Sequence, residues 1–252
     1  MSQTFSTPFS RDYWRCAAAE LKSTRMLVFA ALMIALRVSL KSLAIPVGDN
    51  LFIYVGFFVN ALGAMVFGPV VALLAAAVSD TLGALLFPTG AYFFPFIFVE
   101  MLGSLLFSLF LYRAQLTAWR IIFSRFAVSF LCNLVLTPFI MYYYYLFVLG
   151  KTYRLLSLPR VIKNLALLPA ECVLLVLFLG VMVPLMNRLH FTDYVISTDG
   201  IRLTRKHGAV IAGLFVLAAL FVAFYYGVYT ASSSQIMLFG QTVSIPPWLQ
   251  KS

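Results

Sequence analysis

The chain has 252 residues, 63% of them apolar or aromatic and only 10% charged, with a mean hydropathy of +0.98. A soluble domain carries about a quarter charged residues because its surface faces water, so this composition describes a surface that faces lipid. The net charge of +10 sits in short segments between apolar runs, where membrane topology places bases, and this argues against nucleic acid as a partner.

The first 25 residues are polar and basic, with Arg11, Arg15, Lys22 and Arg25. They lack the early apolar core and small-residue cleavage site of a signal peptide. Cys16, Cys132 and Cys172 show neither a CxxC pair nor metal-ligand spacing, and the last two read as buried helix residues.

Seven apolar stretches are long enough to count as candidate spans, a helical crossing needing roughly 20 residues. They run over 26–44, 51–67, 69–87, 92–112, 126–149, 165–189 and 208–229. Gly68-Pro69 predicts a tight hairpin between the second and third, and Pro88-Thr89-Gly90 predicts a turn before the fourth. This organisation gives a basic segment over 1–25, a helical core over 26–189, a linker over 190–207, and an extra span with its tail over 208–252. The expected fold class is an all-α polytopic membrane protein.

Bases set the orientation. With the N-terminus inside, the inner segments hold eleven bases, Arg113, Arg120 and Arg125 among them, and the outer segments hold six. The N-terminus is therefore expected in the cytoplasm. One outer segment stands out: Lys151, Arg154, Arg160 and Lys163 lie within thirteen residues with no acid among them. This is either a solvated loop near lipid phosphates or a site that collects an anion. Arg160, Lys163 and Asn164 stand near the start of the sixth span, where free backbone N–H groups also favour negative charge.

Ionisable residues at membrane depth are costly and mark functional sites. Arg37 and Lys41 share a helix face, being four apart. Arg37 lies roughly 18 Å along the first helix, whereas Lys41 is placed to snorkel to the outer interface. Asp80 either pairs with Arg37, the arrangement favoured here, or accepts hydrogen bonds from an amino-bearing heterocycle. Glu100 and Glu171 are polar helix contacts without an assigned role. Tyr142, Tyr143, Tyr144 and Tyr145 suit an interfacial belt, yet four in a row must turn at least one ring into the bundle; Tyr92, Phe93 and Phe94 invite the same reading. No P-loop and no hydrolase or protease motif is present, so any ATP-driven step belongs to another chain. An enzyme acting through Asp80, Glu100 or Glu171 would need two such groups to converge on a wet cavity.

The stretch Asn60–Arg113 carries Met65-Val66-Phe67-Gly68-Pro69, Ser79-Asp80-Thr81-Leu82-Gly83, Phe87-Pro88-Thr89-Gly90 and Phe107–Arg113. With Asn133–Thr137, Leu158-Pro159-Arg160 and Pro169, this ordered set resembles the substrate-binding S components of energy-coupling factor (ECF) vitamin transporters, most of all the folate-specific branch. The resemblance covers roughly 25–189 and implies a six-helix bundle without catalysis or cofactor. It implies a vitamin, folate or else thiamine or riboflavin, held at the outer face. Arg37, Asp80, Thr89, Tyr92, Asn133, Arg160, Lys163 and Asn164 are the expected contacts. It also implies a membrane scaffold (T) subunit carrying two ATPases, docked through an alanine motif on the first helix that Ala31 and Ala35 match. The extra span at 208–229 departs from the six-helix pattern.

Overall fold

The computed structural model describes residues 10–43, 55–88, 92–151 and 158–189 without interruption, apart from gaps in 151–158, with the short segments 45–48 and 51–53 and isolated positions up to 220. Thr89, Arg154 and most of the span expected over 208–229 lie outside the described residues.

Helix α1 (Arg11–Ala19) and a 3-10 turn over Glu20–Lys22 precede α2 (Thr24–Lys41). Ser10 and Ser23 start the two helices, each side-chain oxygen accepting an N–H of the first turn. The axes meet at 83°, and α1 is strapped across the base of the bundle. Tyr13 donates to the Ser108 carbonyl at 3.0 Å, and Tyr112 and Arg113 both donate to Glu20.

After α2 a two-stranded ribbon pairs β1 (Ile45–Gly48) with β2 (Leu51–Ile53). The second span therefore begins at Phe57, not at Leu51 as its hydropathy suggests: three apolar residues are spent on a strand. Helical residues then run over α3 (Phe57–Leu86), but Gly68 interrupts them with φ 74° and ψ 179°. A straight helix would hold Asn60 and Asp80 about 30 Å apart. Instead Phe29 meets Phe67, Arg37 meets Asn60 and Lys41 meets Asp80, in order up α2. The chain thus reverses at Gly68-Pro69, and α3 is the expected hairpin of two arms. Only glycine adopts this backbone freely, and a Cβ there would also sit 2.8 Å from the Tyr112 ring.

Helix α4 (Phe96–Leu111) packs Gly103, Ser104, Phe107 and Ser108 into the core. Thr117 caps α5 (Ala118–Val128), which continues through a π-helical stretch over Ser129–Leu136 into α6 (Thr137–Phe147). Pro138 explains the widened turns: its ring would strike the carbonyl four residues back, and it offers no N–H. The Thr137 hydroxyl donates to the Cys132 carbonyl at 2.7 Å. Helix α7 (Leu158–Arg188) completes the bundle, with Pro159 in its first turn, where no N–H is needed. Its inner face, Cys172, Leu175, Val176, Leu179 and Val183, is buried. Cys132 is buried as well.

Beyond α7 the chain is stitched beneath the bundle. Asn187 holds the Ile196 backbone by two hydrogen bonds, Ile196 and Ile201 are buried, and the Ala118 N–H donates to the Gly200 carbonyl at 2.9 Å. Among the described residues, 118–147 and 163–188 are individually long and apolar enough to cross a membrane, and the equally apolar 57–86 is divided by the Gly68 reversal into two arms. The bent pair 11–22 and 24–41 passes the same test when taken together.

Candidate functional site

At the bundle end where α2 finishes and α7 begins, the helices enclose a cavity of about 610 Å³, within the range of small-molecule sites. Of the eight residues the sequence singles out for a ligand, seven line it: Arg37, Asp80, Tyr92, Asn133, Arg160, Lys163 and Asn164. Thr89 is the eighth and lies outside the described residues. Residues from opposite ends of the chain meet here because the Gly68 reversal raises Asp80 to the level of Arg37 and Lys41. The π-helical stretch carries Asn133, which donates to Asn164 at 3.0 Å.

The ion pairs differ from those expected. Asp80 pairs with Lys41 at 3.3 Å, and Arg37 pairs with Glu100 at 2.6 Å. Arg37 also reaches Asn60, whose carbonyl oxygen takes a second hydrogen bond from Ser104 at 2.7 Å. Lys41 therefore points inward to Asp80 and does not snorkel. The register of α2 against the hairpin decides this: the Lys41 turn faces the far arm and the Arg37 turn faces the near one.

Arg125 corrects the topology count as well. Hydropathy alone places it among the cytoplasmic bases, but it is buried on α5, two turns beyond the Thr117 cap. Its Nε and one terminal nitrogen both donate to Glu171 Oε2, at 3.0 and 2.7 Å. Its guanidinium lies 4.1 Å from the centroid of the Phe57 ring, a cation–π distance. A long helix start counted as loop hides this residue in the sequence. The signal available is the Thr117 cap, which begins the helix before Arg125.

Each acid in the cavity wall thus has a cationic partner. Five bases (Arg37, Lys41, Arg125, Arg160, Lys163) face three acids (Asp80, Glu100, Glu171), so the lining carries excess positive charge. Arg160 concentrates it. The residue is only 7% exposed, one terminal nitrogen donates to Tyr153 at 3.1 Å, and its buried Nε has no hydrogen-bond partner among the described residues. No carboxylate pairs with Arg160 among those residues either. A buried, unsatisfied guanidinium N–H costs about 1–3 kcal/mol or more, and an arriving anion removes that cost.

Another part of the wall is aromatic. Tyr92, Phe93, Phe96, Tyr144 and Tyr145 line the cavity, and the Phe93 and Tyr144 rings meet edge to face at 5.3 Å. Two of the four consecutive tyrosines turn inward, while Tyr143 is exposed. Away from the cavity, Ala31 and Ala35 lie on an exposed face of α2.

Membrane-length helices gathered around one shared polar cavity, with excess positive charge and a flat-ring wall, define a membrane-embedded solute-binding subunit. The chain belongs to the family of ECF-type riboflavin transporter S components, whose family model matches residues 21–190. Among curated proteins it is similar to the folate transporter FolT of Clostridium novyi (strain NT), with 26% identity over 161 residues, 62% of this chain and 88% of that one. It is 30% identical to the folate transporter FolT of Leuconostoc mesenteroides subsp. mesenteroides over 151 residues, 59% of this chain and 80% of that one. A crystal structure of FolT bound with folic acid matches with a TM-score of 0.53 and 28% identity, covering 60% of this chain and 88% of that chain. These relatives are transporters, and the chain is a transport subunit and not an enzyme.

Proposed function

We propose that this chain is the folate-binding S component of an ECF-type transporter, capturing the vitamin in the 610 Å³ cavity. The observation that carries the reading is Arg160, buried, without a carboxylate among the described residues and with an unsatisfied Nε. Folate brings glutamate carboxylates, which suit Arg160 and Lys163 on the first turns of α7, where backbone N–H groups add to the pull. Its flat pterin suits the wall of Tyr92, Phe93 and Tyr144, and Asn133, Asn164 and Asp80 offer hydrogen-bonding groups to its edge. Arg37, paired with Glu100, fixes the back of the site. The two named relatives and the folate-bound neighbour support this substrate.

Riboflavin is the second reading, because the matching family model carries that name. Riboflavin has no carboxylate, and a site for it gives Arg160 no counter-charge. Titration of the purified protein with folate, riboflavin and thiamine, followed by tryptophan fluorescence or heat, decides between them. Nanomolar folate binding with the other two silent is the expected result. Riboflavin binding with folate silent would keep the family and reject the substrate.

The remaining assignments rest on the distribution of bases, on hydropathy and on the family. The N-terminus lies in the cytoplasm and residues 26–189 form the S-component core. Residues 190–207 are a cytoplasmic linker, and 208–252 add a further span with an outer tail. Ala31 and Ala35 dock on a transmembrane scaffold subunit that carries two ATPases, since the chain has no P-loop of its own.

A further inference from the structure

The three acids that line the vitamin cavity are not equally available to a ligand. Asp80 is held by Lys41 with its side chain 12% exposed, and Glu171 is held by Arg125 with its side chain 16% exposed. Glu100 keeps 44% of its side chain exposed although Arg37 pairs with it. Arg37 engages Oε2 at 2.6 Å, and Oε1 has no hydrogen-bond partner among the described residues.

The open carboxylate is also held in place from behind. Ser104 donates to the Asn60 carbonyl oxygen at 2.7 Å, Arg37 donates to the same oxygen at 3.3 Å, and Arg37 in turn donates to Glu100. Such a relay fixes the carboxylate before a ligand arrives. Helix α4 turns Phe96 and Glu100 to the cavity one turn apart, about 6 Å along the axis. The Phe96 ring meets Phe93 at 6.1 Å, and Phe93 meets Tyr144 at 5.3 Å. A flat heterocycle lying against these rings has an edge within reach of Glu100.

We propose that Glu100 is the residue that selects the ring system, its carboxylate accepting two adjacent donors, the ring N–H and the exocyclic amino group of a 2-amino-4-oxopyrimidine edge. The assignment rests on the folate reading above and deepens it. Oε1 is free, and Oε2 keeps a lone pair after accepting from Arg37, so the contact is bidentate and charge-assisted. The corresponding edge of riboflavin is one N–H between two carbonyls. A carboxylate facing it meets a carbonyl oxygen with no hydrogen between them, so the group that accepts a pterin repels a flavin. The amino-group acceptor that the sequence allows at Asp80 is thereby placed at Glu100, because Lys41 occupies Asp80.

Calorimetric titration of the full chain with folate and with 2-desaminofolate, which lacks only the exocyclic amino group, is the test. Wild type binds folate roughly ten- to a hundredfold more tightly than the analogue, the effect of one charged hydrogen bond. Glu100→Gln, whose carbonyl stays with Arg37 and whose amide N–H groups face the ring, weakens folate and removes the difference. The paired variant Arg37→Met with Glu100→Met, which removes the ion pair whole, removes it too. Arg160→Ala, acting on the carboxylate tail, weakens both ligands alike and preserves their ratio. Equal affinity of wild type for the two ligands overturns the assignment while the folate reading stands. A ratio unchanged in the Glu100 variants, whether or not both affinities fall, does the same. A wild type that does not bind folate overturns the folate reading, and this assignment with it.

Discussion

Arg125 and Glu171 meet at 2.7 Å inside the bundle, the arginine from α5 and the glutamate from α7, with the Phe57 ring packed on the guanidinium. The pair ties together two helices distant in sequence. Removing one partner leaves a buried charge uncompensated, which costs about 3–5 kcal/mol. Glu171→Ala and Arg125→Ala should each lower the unfolding midpoint in detergent sharply. The double variant Arg125→Met with Glu171→Leu should recover much of the loss. Equal midpoints for wild type and both single variants would show that the pair does not hold the helices.

Arg160→Ala should weaken folate binding by about 1–3 kcal/mol, the loss of charged hydrogen bonds. Arg160→Lys should fail to restore it, because a point charge lacks the planar fork of the guanidinium. Lys163→Ala should weaken binding in the same direction. Calorimetric titration reads all three, and wild-type affinity in Arg160→Ala would remove this residue from the site.

Gly68→Ala should destabilise the fold without touching the cavity. The backbone there costs a side-chain-bearing residue about 1–3 kcal/mol, and its Cβ would collide with Tyr112. Thermal unfolding measures the effect. Unchanged stability would mean that the hairpin relaxes elsewhere.

Replacing Ala31 and Ala35 with tryptophan should leave vitamin binding intact and abolish uptake in cells, since close approach of a second helix needs small residues. Uptake at the wild-type level would assign docking to another face.

Removal of residues 207–252 should leave folate affinity unchanged, because Glu171 is the last residue in chain order that lines the cavity among those described. Loss of binding in a folded truncated protein would make the extra span part of the site.

Much of this arrangement is legible in the sequence, for a simple reason. Charges at membrane depth have few places to go, so Arg37 and Asp80 stand out as site candidates before any contact is known, and Arg160 and Lys163 stand out as bases without an acid in an outer segment. The Gly68-Pro69 reversal is equally plain, glycine and proline together leaving a helix few ways to continue. Pairing is not legible. Whether Asp80 meets Arg37, the partner expected from the sequence, or Lys41, the partner observed, depends on a one-turn register between α2 and a hairpin arm that the sequence does not fix. Arg125 is obscured by its position near an apparent span boundary, where hydropathy does not separate the last loop residue from the second helical turn. The ribbon at 45–53 is hidden because its apolar residues read as the start of the next span.

The stitch beneath the bundle has a practical consequence. Asn187 grips Ile196, and Gly200 lies so close to Leu116 that a Cβ would come within 2.5 Å of its carbonyl oxygen. Gly200 is fastened to α5 through the Ala118 N–H, and Ile196 to α7 through Asn187. A fluorophore attached at Val195, exposed beside the clamped Ile196, would report the tilt of the whole bundle in the bilayer, where a probe on a loose tether would average it away.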